Sequence, residues 1–188
     1  LVVETRFRVS EVERSSNGKG RGTAFPKIRE CGNKRGNQEK SPMIELMKKL
    51  AKEKDICVLA TVSGGTPHCS LMAYTTDDEC SEIYMATHRA TKKFKNLMEN
   101  PSVSLLIDTR EEHKGSHRPE AKAMTVSGAF ERMEDNQKEA WARAKLLSRH
   151  PHLTEFLADP DAEVICIKIR SFLLLDGLTD AHFEEIPE

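Results

Sequence analysis

Ile56-Cys-Val-Leu-Ala-Thr-Val62, Ser63-Gly-Gly-Thr-Pro67 and His68-Cys-Ser-Leu-Met-Ala-Tyr-Thr75 run on without a break. The outer two segments are apolar or alternating, and the middle one is a Gly-Gly turn, so together they read as a β-hairpin. After an acidic turn comes a third strand, Glu82-Ile-Tyr-Met-Ala-Thr87. A helix then opens at Thr91-Lys-Lys-Phe-Lys-Asn-Leu-Met98, stops at Glu99-Asn-Pro101, and gives way to a fourth strand, Ser102-Val-Ser-Leu-Leu-Ile-Asp108. Proline ends the helix because it disfavours helical backbone at the residue before it.

In the second strand Cys69, Leu71 and Ala73 alternate with Ser70, Met72 and Tyr74, so both faces are largely apolar. That suits a barrel wall packed on its inside and covered on its outside by a cofactor or a partner. Downstream, the polar run from Glu111 to Glu120 reads as an exposed loop. Lys122 to Phe130 is a further strand with Met124, Val126 and Phe130 on one face, and Gly128 marks a bulge or a close backbone approach. Asn136 to His150 is helical, with Ala140, Trp141, Ala144 and Leu147 as its expected buried stripe. Val164 to Arg170 alternates cleanly as a sixth strand, and Phe172-Leu-Leu-Leu175 is a strand-sized piece of core. Upstream, Ser41-Pro42 with Glu45 signals a helix start, and Ile44, Met47 and Leu50 share one helical face.

Residues 1–42 differ in kind. They hold 10 Lys/Arg against 5 Asp/Glu and five of the ten glycines, leaving the other 146 residues at a net −6. Such a segment buries too little apolar surface to offset its ordering entropy. Lys and Arg with Gly also suit phosphate binding, but composition favours a disordered extension over a nucleic-acid arm. The domain is therefore expected over 43–188, and Met43 is a candidate natural start.

With 38% hydrophobic and 31% charged residues, the chain has the balance of a soluble protein with one core. It carries no membrane-length apolar run and no basic–apolar–small leader pattern. Cys31, Cys57, Cys69, Cys80 and Cys166 form no CxxC pair, and Cys57, Cys69 and Cys166 sit in strands as small hydrophobes. The expected compartment is a reducing cytoplasm.

The chemistry concentrates at Thr87, Thr91, Lys92 and Lys93. A strand ending at Thr87 and a helix opening at Thr91 leave unpaired backbone N–H groups, which favour an anion. Lys92 and Lys93 oppose the helix dipole at this end, a conflict that an anionic ligand resolves. No nucleophile elbow, Walker loop or dinucleotide fingerprint appears. His113 and His117 have metal-ligand spacing for a helix, but Gly115 and Pro119 make the segment a loop, so no metal is assigned.

The order of elements from Ile56 to Arg110 resembles the FMN-binding split-barrel proteins related to pyridoxamine 5'-phosphate oxidase, a likeness spanning about 44–176. It implies a mainly β (α+β) fold, a six-stranded antiparallel Greek-key split barrel with flanking helices. It also implies a homodimer with cofactor sites at the interface and a small-molecule substrate. In that family the helix after the third strand opens with basic residues that hold the FMN phosphate, and Lys92 and Lys93 fall there. The second strand runs beside the isoalloxazine ring, which places Ser70, Leu71, Met72 and Ala73 at the cofactor, with Tyr84, Met85 and Thr87 from the next strand. Ser70 stands where the oxidase has a phosphate-binding arginine. The oxidase's substrate arginines are also missing, since Lys122 is a poor substitute for a bidentate clamp.

Leu146-Leu-Ser-Arg-His-Pro-His152, Val164–Arg170 and Leu174–His182 are similar to the haem-utilisation branch of the same superfamily, with His182 the candidate haem ligand. The resemblance thus implies an FMN-dependent oxidoreductase, with a deazaflavin protein, a haem-binding or haem-degrading protein and a cofactor-free dimeric scaffold as alternatives.

Overall fold

Gly64 and Gly65 both take positive φ, 54° and 75°, and join strand β2 (Ile56–Ser63) to β3 (Thr66–Thr76) in a two-residue turn. This mirror-image turn matches the natural twist of a hairpin, and glycine adopts it without penalty. In the computed structural model, residues 28–30, 41–113, 115–177 and 180–187 are described. The other elements are β1 (Ile28–Glu30), α1 (Pro42–Glu53), β4 (Glu82–His88), α2 (Lys92–Glu99), β5 (Ser102–Asp108), β6 (Lys122–Glu131), α3 (Asn136–Arg149), α4 (Thr154–Ala158), β7 (Ala162–Asp176) and β8 (Asp180–Glu185).

Pairing follows the order β2-β3-β4-β7-β6-β5 and returns from β5 to β2, closing a six-stranded antiparallel barrel. The β6–β7 ladder slips between Ser127 and Gly128. A side chain at Gly128 would bring its Cβ within 2.6 Å of the Lys168 carbonyl oxygen, so only glycine fits the bulge. The segments read as a sixth strand and a separate core piece are one continuous strand, β7. It outlasts the barrel and pairs with β8, which in turn takes β1 in parallel. Of the expected N-terminal extension, β1 and the helix start are described; its glycine-rich basic runs and Cys31 lie outside the described residues.

Alternation places Leu59, Met72, Tyr74, Ile83, Met85, Leu105, Ile107, Met124, Val126, Ile165 and Ile167 inside the barrel, where Met47, Leu50 and Ala51 of α1 join them. Ser41 caps α1 by accepting from the Met43 N–H, and its hydroxyl donates to Glu184 of β8 at 2.8 Å. A second, smaller core of Tyr84, Ala142, Leu146, Leu157, Val164 and Cys166 lies outside the barrel, between β4, β7 and the α3–α4 wrap.

Two expectations need correction. The buried stripe of α3 is Ala142 and Leu146, continued by His150, rather than Ala140, Trp141, Ala144 and Leu147. Trp141 is 43% exposed; its ring meets Tyr84 edge-on at 5.5 Å and lies under Lys145. Cys69 is exposed on the outer face of β3, whereas Cys57, Cys80 and Cys166 are buried. The loop after β5 contains a 3-10 turn over Gly115–Glu120. Among the described residues no helix is long and apolar enough to cross a membrane.

Candidate functional site

Register makes the site. The β3–β4 ladder holds only three partners, Thr76↔Ile83, Thr75↔Tyr84 and Tyr74↔Met85. Continued, it would pair Ala73 with Ala86, Met72 with Thr87 and Leu71 with His88. Instead these six residues line a cavity of about 240 Å³ together with Thr91, Lys93, Leu153 and Phe156. On its far side β3 remains paired to β2, and β4 remains paired to β7 through His88↔Ala162. The barrel is therefore split at this point and turns two strand edges toward one space. Unpaired strand edges offer backbone N–H and C=O groups to whatever fills the gap.

The turn from β4 into α2 forms the floor. The Thr91 N–H and hydroxyl both donate to the His88 carbonyl, at 3.1 and 2.8 Å. With the Thr91 proton so used, the Thr87 hydroxyl donates to Thr91 Oγ1 across 2.9 Å, and the Phe94 N–H donates to the same oxygen at 3.4 Å. Neither threonine hydroxyl keeps a proton for a ligand; they hold the turn. The first N–H groups of a helix have no carbonyl partner within it. Here Thr91 satisfies that of Phe94, so those of Lys92 and Lys93 remain. No acidic residue occupies the first turn of α2. Lys93 is half-buried and lines the cavity, while Lys92 is exposed. Buried Asn96 ties α2 to β2 by donating to Thr61 Oγ1 at 3.0 Å.

The opposite wall comes from the segment after α3. His150 caps α3 and is buried, its Nε2 donating to the Tyr74 carbonyl at 2.8 Å. Arg143 donates to the Leu157 carbonyl at 2.5 Å. These bonds set a 3-10 turn (Pro151–Leu153) and the five-residue α4 against the barrel, which brings Leu153 and Phe156 to the cavity. Phe156 stacks on the His88 ring at 4.3 Å and 10°.

Of the residues singled out from sequence, Leu71, Met72, Ala73, Thr87, Thr91 and Lys93 meet around the cavity. Ser70 and Lys92 do not line it. Met85 points into the barrel core, and Tyr84 points outward under α3, where its hydroxyl bonds Glu82. Burial in that second core pushes the Tyr84 phenol far above its ordinary range. His182 of β8 pairs with Leu174 of β7 and does not line the cavity. Sequence reasoning missed His88, Leu153 and Phe156, while Ala86 lay within the matched stretch from Tyr84 to Thr87. For His88 a signal existed, because it directly follows Thr87; Leu153 and Phe156 arrive by tertiary packing that no local pattern announces.

A closed antiparallel barrel whose β3 and β4 part beside the start of α2 is a split barrel. The chain belongs to the pyridoxamine 5'-phosphate oxidase family, whose model matches residues 43–176. Among solved structures it is similar to a haem-binding protein from Mycobacterium smegmatis (TM-score 0.65, 19% identity, 73% of this chain and 55% of that one). It is also similar to ChuZ from Campylobacter jejuni (TM-score 0.66, 12% identity, 79% and 61%). An FAD-binding protein from Mesorhizobium loti matches at TM-score 0.58 and 20% identity, over 70% of this chain and 90% of that one. The chain thus spans little more than half the length of the first two, and at these identities the likeness is one of fold. No curated protein matches the sequence.

Proposed function

We propose that this protein binds FMN in the split between β3 and β4 and serves an oxidoreductase reaction on a small molecule. The observation that carries this reading is the register of β3 and β4, which part after Tyr74↔Met85 and open onto Lys93 and the start of α2. The residues present fit the group. Lys93 and the free N–H groups of the first turn would hold the phosphate, with Lys92 adding charge from the solvent side. The open edges at Leu71–Ala73 and Ala86–Thr87 would take the polar edge of the ring system. When bound, a flavin supplies the redox chemistry, and the protein supplies position and electrostatics. A deazaflavin shares the ring edge that this split would recognise.

The working unit in this reading is a homodimer. Leu71 is 74% exposed, Ile56 51% and Leu106 36%. Register places Leu71 opposite Val58 and Val58 opposite Leu106, one apolar row across three strands, with Ile56 opposite Ala73 beside it. A contiguous apolar patch of this kind marks an interaction surface. Leu71 and Ala73 also border the cavity, so a second copy seated here would complete it. The cavity of about 240 Å³ needs such completion, because pockets for ligands of this size enclose roughly 300–1,000 Å³. Closed twofold pairing is the commonest solution.

An absorption spectrum of the purified protein tests the cofactor. Two broad bands in the near-ultraviolet and blue are expected; a single intense Soret band would replace FMN by haem. Lys92→Ala with Lys93→Ala should weaken FMN binding and flatten its salt dependence, and unchanged affinity would remove the phosphate site. Sedimentation equilibrium should report a dimer that Leu71→Asp dissociates with loss of cofactor. A monomer holding FMN stoichiometrically would sink the shared site.

A further inference from the structure

We propose that His88 is the proton-accepting contact of this cavity, held for that role by Asp159 and Phe156. The inference rests on the reading that a ligand occupies the split between β3 and β4. Three features surround the imidazole. Phe156 lies flat against one face at 4.3 Å, which sets the plane of the ring. Asp159 Oδ2 lies 3.8 Å from Nε2, and its other oxygen, Oδ1, accepts from the Asp161 N–H at 2.8 Å, so the carboxylate is itself anchored. The third is the cavity, which His88 lines.

The two ring nitrogens differ in surroundings. Nε2 is the one buried side-chain nitrogen or oxygen without a hydrogen-bond partner among the described residues. A buried polar atom left in that state requires an explanation. Nδ1 also has no protein partner among those residues, yet the side chain remains 35% exposed, so Nδ1 is the nitrogen with access to the open side. A carboxylate facing Nε2 favours a proton on that nitrogen, which leaves the Nδ1 lone pair outward. The arrangement accepts a hydrogen bond from a ligand N–H or O–H. Where that group is acidic enough, its proton passes to Nδ1, the ligand keeps the electron pair as an anion, and the new imidazolium faces Asp159.

The other charges nearby are consistent with this. Arg89 is paired to Glu163 at 2.7 Å and its N–H is held by the Asp161 carbonyl, so it does not compete for Asp159. Lys93 lines the same cavity from α2 and would offset the anion left on the ligand. The ligand class is therefore a small molecule that presents an ionisable N–H or O–H to the wall between β4 and α4.

Two measurements on the full chain test this. Long-range proton–nitrogen spectra of the ligand-free protein, with His88 identified by its loss in His88→Phe, should show neutral His88 protonated on Nε2. Asp159→Asn should weaken that preference. FMN titrations should then show the wild-type Kd rising about tenfold, relative to that of His88→Phe, as pH falls from about 8 to 5, because a protonated Nδ1 no longer accepts. The phenylalanine keeps the stack on Phe156 and has no nitrogen; His88→Gln repeats the comparison if that variant folds poorly. Protonation on Nδ1 in the free protein, or parallel pH profiles for wild type and variant, would overturn the assignment. Wild-type protein that binds no FMN at any pH would sink the FMN reading, and the ring-nitrogen spectra would still decide the tautomer.

Discussion

The two walls of the cavity are built by different means. On one side β3, β4 and α2 are held mainly by ladders in regular register and a local cap, with one longer-range tie, the buried Asn96–Thr61 bond. On the other, Leu153 and Phe156 belong to two short turns with a single buried residue between them, Leu157. Their position depends on long-range side-chain bonds, His150 to the Tyr74 carbonyl and Arg143 to the Leu157 carbonyl. A wall made of backbone pairing is rigid and periodic. A wall made of a few side-chain bonds opens more readily, since regions with few buried contacts have the lowest local stability. The cavity thus has a fixed side that would grip a phosphate and a lighter side that carries the Phe156–His88 stack.

The largest expected effect breaks the light wall at its root. Leu146 is fully buried in the second core, and Leu146→Ala should cost about 3 kcal/mol through lost burial and a cavity. Trp141→Ala should cost only about 1 kcal/mol, the scale of one aromatic edge contact. Urea unfolding checks both. A larger loss at Trp141 than at Leu146 would mean that α3 packs by the other face.

That contrast also shows what the sequence made legible. Strand periodicity from Ile56 to Arg110 located four of the six barrel strands, because alternation, the Gly-Gly turn and Pro101 are local signals. The helix α3 offered two competing stripes, and the larger apolar residues drew the reading to Trp141. The true stripe, Ala142–Leu146–His150, is closed by a histidine bonded to Tyr74, 76 positions away. The same limit applies to the site. Lys93 and Thr87 followed from a strand-to-helix pattern, whereas the parting of β3 and β4 after Tyr74↔Met85 depends on where each strand finds its other partner. No property of Ala73 or Ala86 alone encodes it.

A middle-sized effect compares the cores behind the two walls through their thiols. Burial pushes Cys57 in the barrel and Cys166 under the wrap each up to about 12. In the unfolded chain these thiols lose their protons first, near their ordinary value of about 9. The unfolded state then binds fewer protons than the folded one, so stability falls as pH rises from about 9 toward 12. The loss is at most about 1.4 kcal/mol per thiol for each pH unit. Stability measured against pH should show this alkaline decline, and replacing Cys166 by alanine should reduce its slope. Thiol labelling of the native protein should modify exposed Cys69 first, then Cys166 as the wrap lifts, and Cys57 only on global unfolding. Simultaneous labelling of Cys57 and Cys166 would show that the wrap and the barrel open as one unit.

The smallest effect separates two adjacent lysines on the fixed wall. Lys93 is half-buried and borders the cavity, whereas Lys92 is exposed and does not. A charge partly withdrawn from water is screened less by salt than an exposed one. In the proposed site Lys93 would meet the phosphate with the first-turn N–H groups beside it, an arrangement that strengthens a charge-assisted bond. Lys93→Ala should therefore weaken FMN binding about tenfold, the cost of one charge-assisted hydrogen bond. Lys92→Ala should weaken it no more than about threefold, as expected of a surface charge worth under about 1 kcal/mol. The Lys92 effect should vanish in high salt and the Lys93 effect should largely persist. Fluorescence titration of FMN at low and high ionic strength measures both. Equal losses with equal salt dependence would place the phosphate outside the cavity, on the solvent face of α2, and would detach it from the split between β3 and β4.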